Sequence, residues 1–230
     1  VSFYFVDFVL NMFHVRFGQY ELTQILGLVP AAIKDDFWFW QFVTYIFMHG
    51  NHLHLLLNML ILWYFGAELE LRIGSGEFLI YFFLCGIGAG FFNFGVNYIF
   101  TNDVSLLTNP IIGASGAIYG ILAAYGIFFG NRYFLVFFLF PMKAKYFVLL
   151  IAAIELMTGA QPATDNVAHF AHLGGMVVGA LYIYFRYLRP RMGGHGSSKK
   201  DSDRERLKRQ FTLIVNPSDR DQQDKGPYWN

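Results

Sequence analysis

Charge is what this chain has least of. Asp, Glu, Lys and Arg make up only 14% of its 230 residues, against about 25% in a soluble domain, so most of its surface does not face water. The lone cysteine, Cys85, sits in an apolar run, which excludes a disulfide framework and a cysteine-based metal site. The zinc-protease signature H-E-x-x-H does not occur. No repeat of fixed period and no cleavable signal pattern stands out. What fills the chain instead is apolar: 55% is hydrophobic, with 27 Phe and 14 Tyr. That composition fits lipid-facing helices with aromatic belts at the membrane interface.

The apolar runs give a serial reading. The chain opens on Val1, and Val1 to Phe13 is too short to cross a hydrocarbon core, which takes about 20 residues. It is read as the end of a first span that begins upstream of the sequence. His14 to Asp36 suits a loop, and Phe37-Trp38-Phe39-Trp40 an aromatic anchor at the headgroups. Further spans are expected over His52 to Leu71, Glu77 to Phe100, Ser115 to about Phe129, Tyr146 to Met157 and Val167 to Leu188, with Thr101 to Pro110 a polar turn. Tyr133 to Phe140 is apolar but too short to span. From Arg189 the composition turns to Ser, Gly, Lys, Arg and Asp, which reads as a disordered tail. The expected organisation is a membrane domain over residues 1–189 and a polar tail over 190–230.

If the spans alternate, Arg72, Arg132, Lys143, Lys145, Arg186, Arg189 and Arg191 collect on one side. The positive-inside rule puts that side and the C-terminal tail in the cytoplasm. The starts of the second, fourth and sixth spans then lie toward the outer face. His54, Ser115 and His172 are each near one of those starts.

The chemistry of the chain gathers at that depth. Polar groups inside a membrane are expensive and tend to be functional. His54 and Asn58 are four apart and share a helix face, as do Ser115 and Tyr119. Gly116 with Gly120, and Gly175 with Gly179, are small-xxx-small pairs that let two helices approach closely. By itself Gly113 to Gly120 is equally a packing motif or the setting of a nucleophile. Close packing of the fourth and sixth spans brings His172 to Ser115, as a general base on a hydroxyl nucleophile. The oxyanion would form at the N-terminus of the fourth span, where free N–H groups and the helix dipole favour negative charge, with His54 and Asn58 as further donors. No carboxylate third member is evident near His172, since Asp165 falls in a loop, so a Ser–His dyad is expected. The G-x-S-x-G elbow fails because Ala117 follows Gly116 and no strand precedes Ser115.

With these residues in view, the chain resembles the rhomboid family of intramembrane serine proteases. The resemblance rests on Gly113-Ala-Ser115-Gly116, on His54-x-x-x-Asn58, and on Ala171-His172-Leu173-Gly174-Gly175 with Gly179. Gly66, Glu70 and Gly74 with Ser75 look like the family's second-to-third helix junction, the three read as one helix face. The resemblance implies an all-α, six-transmembrane-helix bundle whose short central fourth helix carries Ser115. It implies Ser115 and His172 as the dyad, His54 and Asn58 at the oxyanion, Gly113 before the nucleophile and Tyr119 packed on the histidine. Transmembrane segments of other proteins are the implied substrates. Gln41, Thr44, His49, Asn51 and His52 are expected to rim a polar funnel, and Gly159 to Asn166 to cap it. One departure stands out: many members carry Trp-Arg in the first loop, and this chain has Trp40-Gln41, which puts that loop's anchoring in question.

Two other functions remain to be weighed. A pseudoprotease binding membrane clients would be expected to lack the serine or the histidine, and this chain keeps both. His49, His52, His54, His169 and His172 raise metal binding or transport, yet His52 and His54 point to different sides of a helix and no carboxylate joins them at ligand spacing. Glu155 and Glu70 are read as structural, and His169 as bonded to a neighbouring helix or loop. No cofactor, metal or nucleic acid is expected. The partners are transmembrane substrates and membrane lipid, with the tail's basic groups toward anionic lipid. A bacterial inner membrane is the expected location, with the active site toward the outer face.

Overall fold

The computed structural model describes residues 21–100, 104–136, 139–159 and 166–189. The expected first span, the centre of the cap loop and the tail from residue 190 lie outside them. The chain divides into two compact units, Val1–Phe185 and Arg186–Asn230. All the elements named here lie in the first. Of the second, Arg186 holds its guanidinium 5.4 Å above the ring of Tyr187.

Where a loop was expected before Asp36 there are two short helices, α1 (Leu22–Leu26) and α2 (Pro30–Asp35). Pro30 starts α2, where its missing N–H costs nothing. After α3 (Gln41–Thr44) comes a long helix, α4 (His52–Ile73), whose middle, Leu62–Gly66, is a π-helical turn. Gly74 ends α4 with φ at +90°, a value open to glycine and strained for other residues. Its N–H donates to the Glu70 carbonyl at 2.7 Å. Gly74 is thus a cap beyond the helix, which corrects the reading of Gly66, Glu70 and Gly74 as one helix face. α5 (Ser75–Phe100) follows at once, then a short α6 (Val104–Thr108) within the expected polar turn, and α7 (Ser115–Phe128).

A two-stranded antiparallel hairpin, β1 (Tyr133–Val136) and β2 (Phe140–Lys143), comes next, with Tyr133 opposite Lys143 and Val136 opposite Phe140. It is the exception to the all-α expectation among the described residues. The alternating burial along β1 is a strand period, but unbroken apolar sequence hides it, because its outward positions are apolar too. α8 (Ala144–Gly159) and α9 (Asn166–Ile183) complete the unit.

α4 and α5 are each long and apolar enough to cross a membrane, and their outer faces carry Trp63, Leu71 and Ile80 largely exposed. α7 is the opposite case. At 14 residues it is about 21 Å long, and Gly116 to Ile118 and Gly120 to Tyr125 are all buried. It lies against α4, α5, α8 and α9. A helix so enclosed needs small residues where its neighbours cross. A Cβ on Gly175 of α9 would strike the carbonyl of Gly116, and one on Gly179 would come 2.9 Å from the Cα of Gly120.

An apolar cluster lies under the first loop: Leu28, Ile33, Phe42, Tyr45, Ile46, Ile111, Ala114 and Ile118. Phe42 stacks on Phe91 of α5 at 4.0 Å between ring centroids. The polar side chains of the loop are spent on backbone groups. A helix end leaves its last carbonyls unpaired, and three side chains meet those of α1. Gln41 Nε2 donates to the carbonyls of Gln24 and Ile25 at 2.8 and 3.2 Å, Trp40 Nε1 to that of Ile25 at 2.9 Å, and Thr44 Oγ1 to that of Leu26 at 2.6 Å. Gln41 Oε1 also accepts from the Val29 N–H at 2.9 Å. Gln41 is fully buried, so it anchors the loop and does not rim a funnel. Thr44 serves the same anchoring, and His49 is buried as well.

Replacing Gln41 by leucine keeps the bulk and strands these buried groups, at about 1–3 kcal/mol each where water does not reach them. Gln41→Leu is expected to lower the thermal unfolding midpoint in detergent by several degrees. A midpoint equal to wild type would show that the amide is not the anchor.

Candidate active site

Ser115 is the first residue of α7, and the chain that delivers it is pinned twice. Ile111 and Leu28 exchange backbone hydrogen bonds of 2.9 Å in each direction, and the Gly113 N–H donates to the Tyr45 carbonyl at 2.9 Å. Tyr45 is held in turn, its hydroxyl donating to the Gly86 carbonyl of α5 at 2.6 Å. Gly113 takes φ of +128°, and a Cβ there would lie 2.9 Å from His54 Nε2 and 3.6 Å from Ser115 Oγ. Glycine therefore both turns the chain and leaves the space that the histidine fills. No side chain caps the N-terminus of α7, so its positive dipole end is open at Ser115.

His172, on α9, brings Nε2 to 2.7 Å from Ser115 Oγ. Its ring lies on that of Tyr119, 4.1 Å between centroids and 3° from parallel. Both contacts depend on the crossing of α7 and α9 at Gly116, Gly120, Gly175 and Gly179 described above.

His54 stands at the start of α4, its own N–H donating to the Asn51 side chain at 2.8 Å, so Asn51 caps that helix. Asn58, one turn further, is buried with Nδ2 lacking a hydrogen-bond partner among the described residues. No hydrogen bond joins His54 or Asn58 to Ser115 among those residues. The His49 ring is 5.2 Å from that of His54. Burial, with a smaller push from His54, brings the His49 imidazole down to about 4, so it stays neutral.

Glu155, read from sequence as structural, does bond neighbouring helices, but its place beside His172 was not expected. Glu155 of α8 is buried, and its Oε1 lies 3.1 Å from His172 Nδ1, close but without hydrogen-bond alignment. The expectation that no carboxylate lies near His172 is corrected. Tyr119 donates its hydroxyl to the same Oε1, and His169 Nδ1 is 2.5 Å from Oε2. The available signal was an acid within the apolar run from Tyr146 to Met157. Its partners could not be read, because they lie on two other helices.

The donor atoms of Glu155, His169 and His172 all fall within 4.8 Å of one another. This supplies the carboxylate that the metal reading lacked. As placed, however, Glu155 already holds His169 and lies against His172, and an ion would have to take over those contacts.

Long helices with apolar outer faces around a half-buried Ser–His pair define a helical membrane protein with a nucleophile among its helices. The chain belongs to the rhomboid family, whose domain model matches residues 36–189. RHOMBOID-like protein 4 of Arabidopsis thaliana is 30% identical over 167 residues, covering 72% of this chain and 38% of that protein. Rhomboid protease AarA of Providencia stuartii is 30% identical over 171 residues, covering 67% and 58%. Rhomboid protein 1, mitochondrial, of Saccharomyces cerevisiae is 29% identical over 140 residues, covering 60% and 39%. The chain thus spans between 38% and 58% of the length of these relatives.

Gly113→Ala is expected to cost about 1–3 kcal/mol from backbone strain alone, and more as His54 is displaced. Thermal unfolding of the purified variant measures it. A melting temperature equal to wild type would show that the turn tolerates a side chain.

Proposed function

We propose that this chain is an intramembrane serine endopeptidase that cuts transmembrane segments of other membrane proteins. The observation that carries the reading is the 2.7 Å contact between Ser115 Oγ and His172 Nε2, at the open N-terminus of a buried helix. His172 takes the Ser115 proton at Nε2 as Oγ bonds to the scissile carbonyl carbon. The carbonyl oxygen becomes an oxyanion facing the N-terminus of α7, with His54 and Asn58 as added donors; the unpartnered Nδ2 of Asn58 supports that role. When the carbon–nitrogen bond breaks, His172 passes its proton to the leaving amine. Water, giving a proton to the same imidazole, then bonds to the acyl carbon; the carbon–Oγ bond breaks and His172 returns the proton to Ser115 Oγ. Gly113 gives the turn, Tyr119 holds the imidazole plane, and Gly116, Gly175 and Gly179 set the distance.

The proposed setting is a six-span bundle over residues 1–189, with α7 as its short central helix and residues 190–230 as a cytoplasmic tail. The proposed location, a bacterial inner membrane, rests on the bare six-helix core, and the distribution of lysine and arginine supports a site toward the outer face. Relatives named as rhomboid proteases support the enzymatic reading.

The test is cleavage of a model transmembrane substrate in detergent or liposomes. Wild type is expected to cut and Ser115→Ala to lose at least about 10³-fold in rate. Cleavage surviving in Ser115→Ala would sink the serine mechanism, and client binding without any cleavage by wild type would favour a pseudoprotease. Activity is expected to withstand a chelator; loss on chelation, or metal flux in liposomes, would favour the metal reading. Gly175→Val, which drives a side chain into the Gly116 carbonyl, is expected to abolish cleavage with Ser115 intact. Full activity in that variant would separate the helix crossing from the chemistry.

A further inference from the structure

Glu155 is a buried acid that the proposed chemistry leaves unused. A carboxylate placed in apolar surroundings is costly unless partnered, and packing α8 against α9 does not require one. Its polar partners are Tyr119, His169 and His172. Two of these are the stacked tyrosine and the histidine that touches Ser115.

The proton count at His172 gives the acid a task. For Nε2 to accept from Ser115, the neutral imidazole must carry its proton on Nδ1. Glu155 Oε1 is the acceptor set 3.1 Å from that nitrogen. We propose that Glu155 is a positioning residue that turns the pair into a Ser115–His172–Glu155 triad, fixing the tautomer of His172 and stabilising the imidazolium formed when Ser115 attacks. This rests on the serine-protease reading.

The carboxylate is itself held from two sides. Tyr119 donates to Oε1 and His169 sits on Oε2, so Glu155 orients the imidazole directly at Nδ1 and indirectly through the ring stacked on it. The Nδ1 contact is not aligned as a hydrogen bond, and such contacts commonly tighten only as charge develops. The proton stays on Nδ1 throughout, and Glu155 does not become protonated. His169 is the second hand on the acid and does not act on substrate.

The experiment measures two things in detergent: the labelling rate of Ser115 by a fluorophosphonate probe, and kcat and KM on a transmembrane substrate. Glu155→Gln keeps the shape and removes the charge. It is expected to lower the labelling rate and kcat by about 10²-fold with KM unchanged, and to add no further loss in a His172→Ala background, since residues acting as one unit are not additive. An unchanged labelling rate in a Glu155→Gln protein that melts as wild type does would overturn the proposal. So would an equal loss in the His172→Ala background, or slower wild-type labelling on adding a chelator. If Glu155→Gln melts early, Tyr119→Phe and His169→Asn replace it, each releasing one oxygen of a carboxylate that stays charged. A several-fold fall in both is expected, and no fall in either overturns the proposal. Absence of any labelling at Ser115 in wild type would instead defeat the serine mechanism itself.

Discussion

The structure depends on one contact: backbone against backbone where α7 crosses α9. At Gly175 nothing but hydrogen faces α7, since a single added carbon would overlap the Gly116 carbonyl oxygen, and a carbon added at Gly116 would come 2.7 Å from the Cβ of Ala89 on α5. Between helices in lipid there is no hydrophobic gain from leaving water, so association draws on close packing and hydrogen bonds. Glycines at this crossing therefore do more than relieve crowding. They set the separation at which a serine on one helix and an imidazole on the next meet at hydrogen-bond distance. The other supports are arranged around it: the Tyr81 hydroxyl of α5 donates to the Gly120 carbonyl at 2.6 Å, and Tyr45 ties the start of α7 to α5 through Gly113 and Gly86.

Three carboxylates in this unit, Glu68, Glu77 and Glu155, each bind a tyrosine hydroxyl. Glu68 accepts from Tyr125 at 2.8 Å and pairs with Arg132, Glu77 accepts from Tyr182 at 2.6 Å, and Glu155 gathers Tyr119 and two histidines. Each carboxylate joins one long helix to a neighbour through a tyrosine hydroxyl, a donor that brings no second charge into apolar surroundings. Tyrosine is plentiful here, and its interfacial role is only part of the reason. The exposed aromatics outside and the tyrosine–carboxylate links inside use the same residue for opposite ends of its chemistry.

How much was legible depended on whether a feature was local. The spacing of His54 and Asn58 and the paired glycines are patterns within one helix, and all were readable. So was the gathering of His54, Ser115 and His172 at one end of their helices, because alternation along the chain fixes which ends lie together. Glu155 was not, since sequence puts it 17 positions from His172 on a separate helix and does not say which face of α8 turns inward. The hairpin at Tyr133 to Lys143 was hidden by apolar residues on both of its faces. The caps on α1 were hidden for a third reason: Gln41, Trp40 and Thr44 bond carbonyls, and carbonyls leave no mark in a sequence.

Gln41 also changes what the first loop can respond to. Charged side chains near a membrane surface feel the local potential and salt, over a Debye length of about 8 Å at physiological ionic strength. The end of α1 is fastened by a neutral amide, an indole and a hydroxyl, none of which titrates near neutrality or exchanges counterions, and Lys34 supplies a charged contact of the loop, 5.3 Å above the Tyr98 ring of α5. The hold on α1, and through the Leu28–Ile111 pairing on the segment that delivers Ser115, therefore runs through groups that salt does not screen.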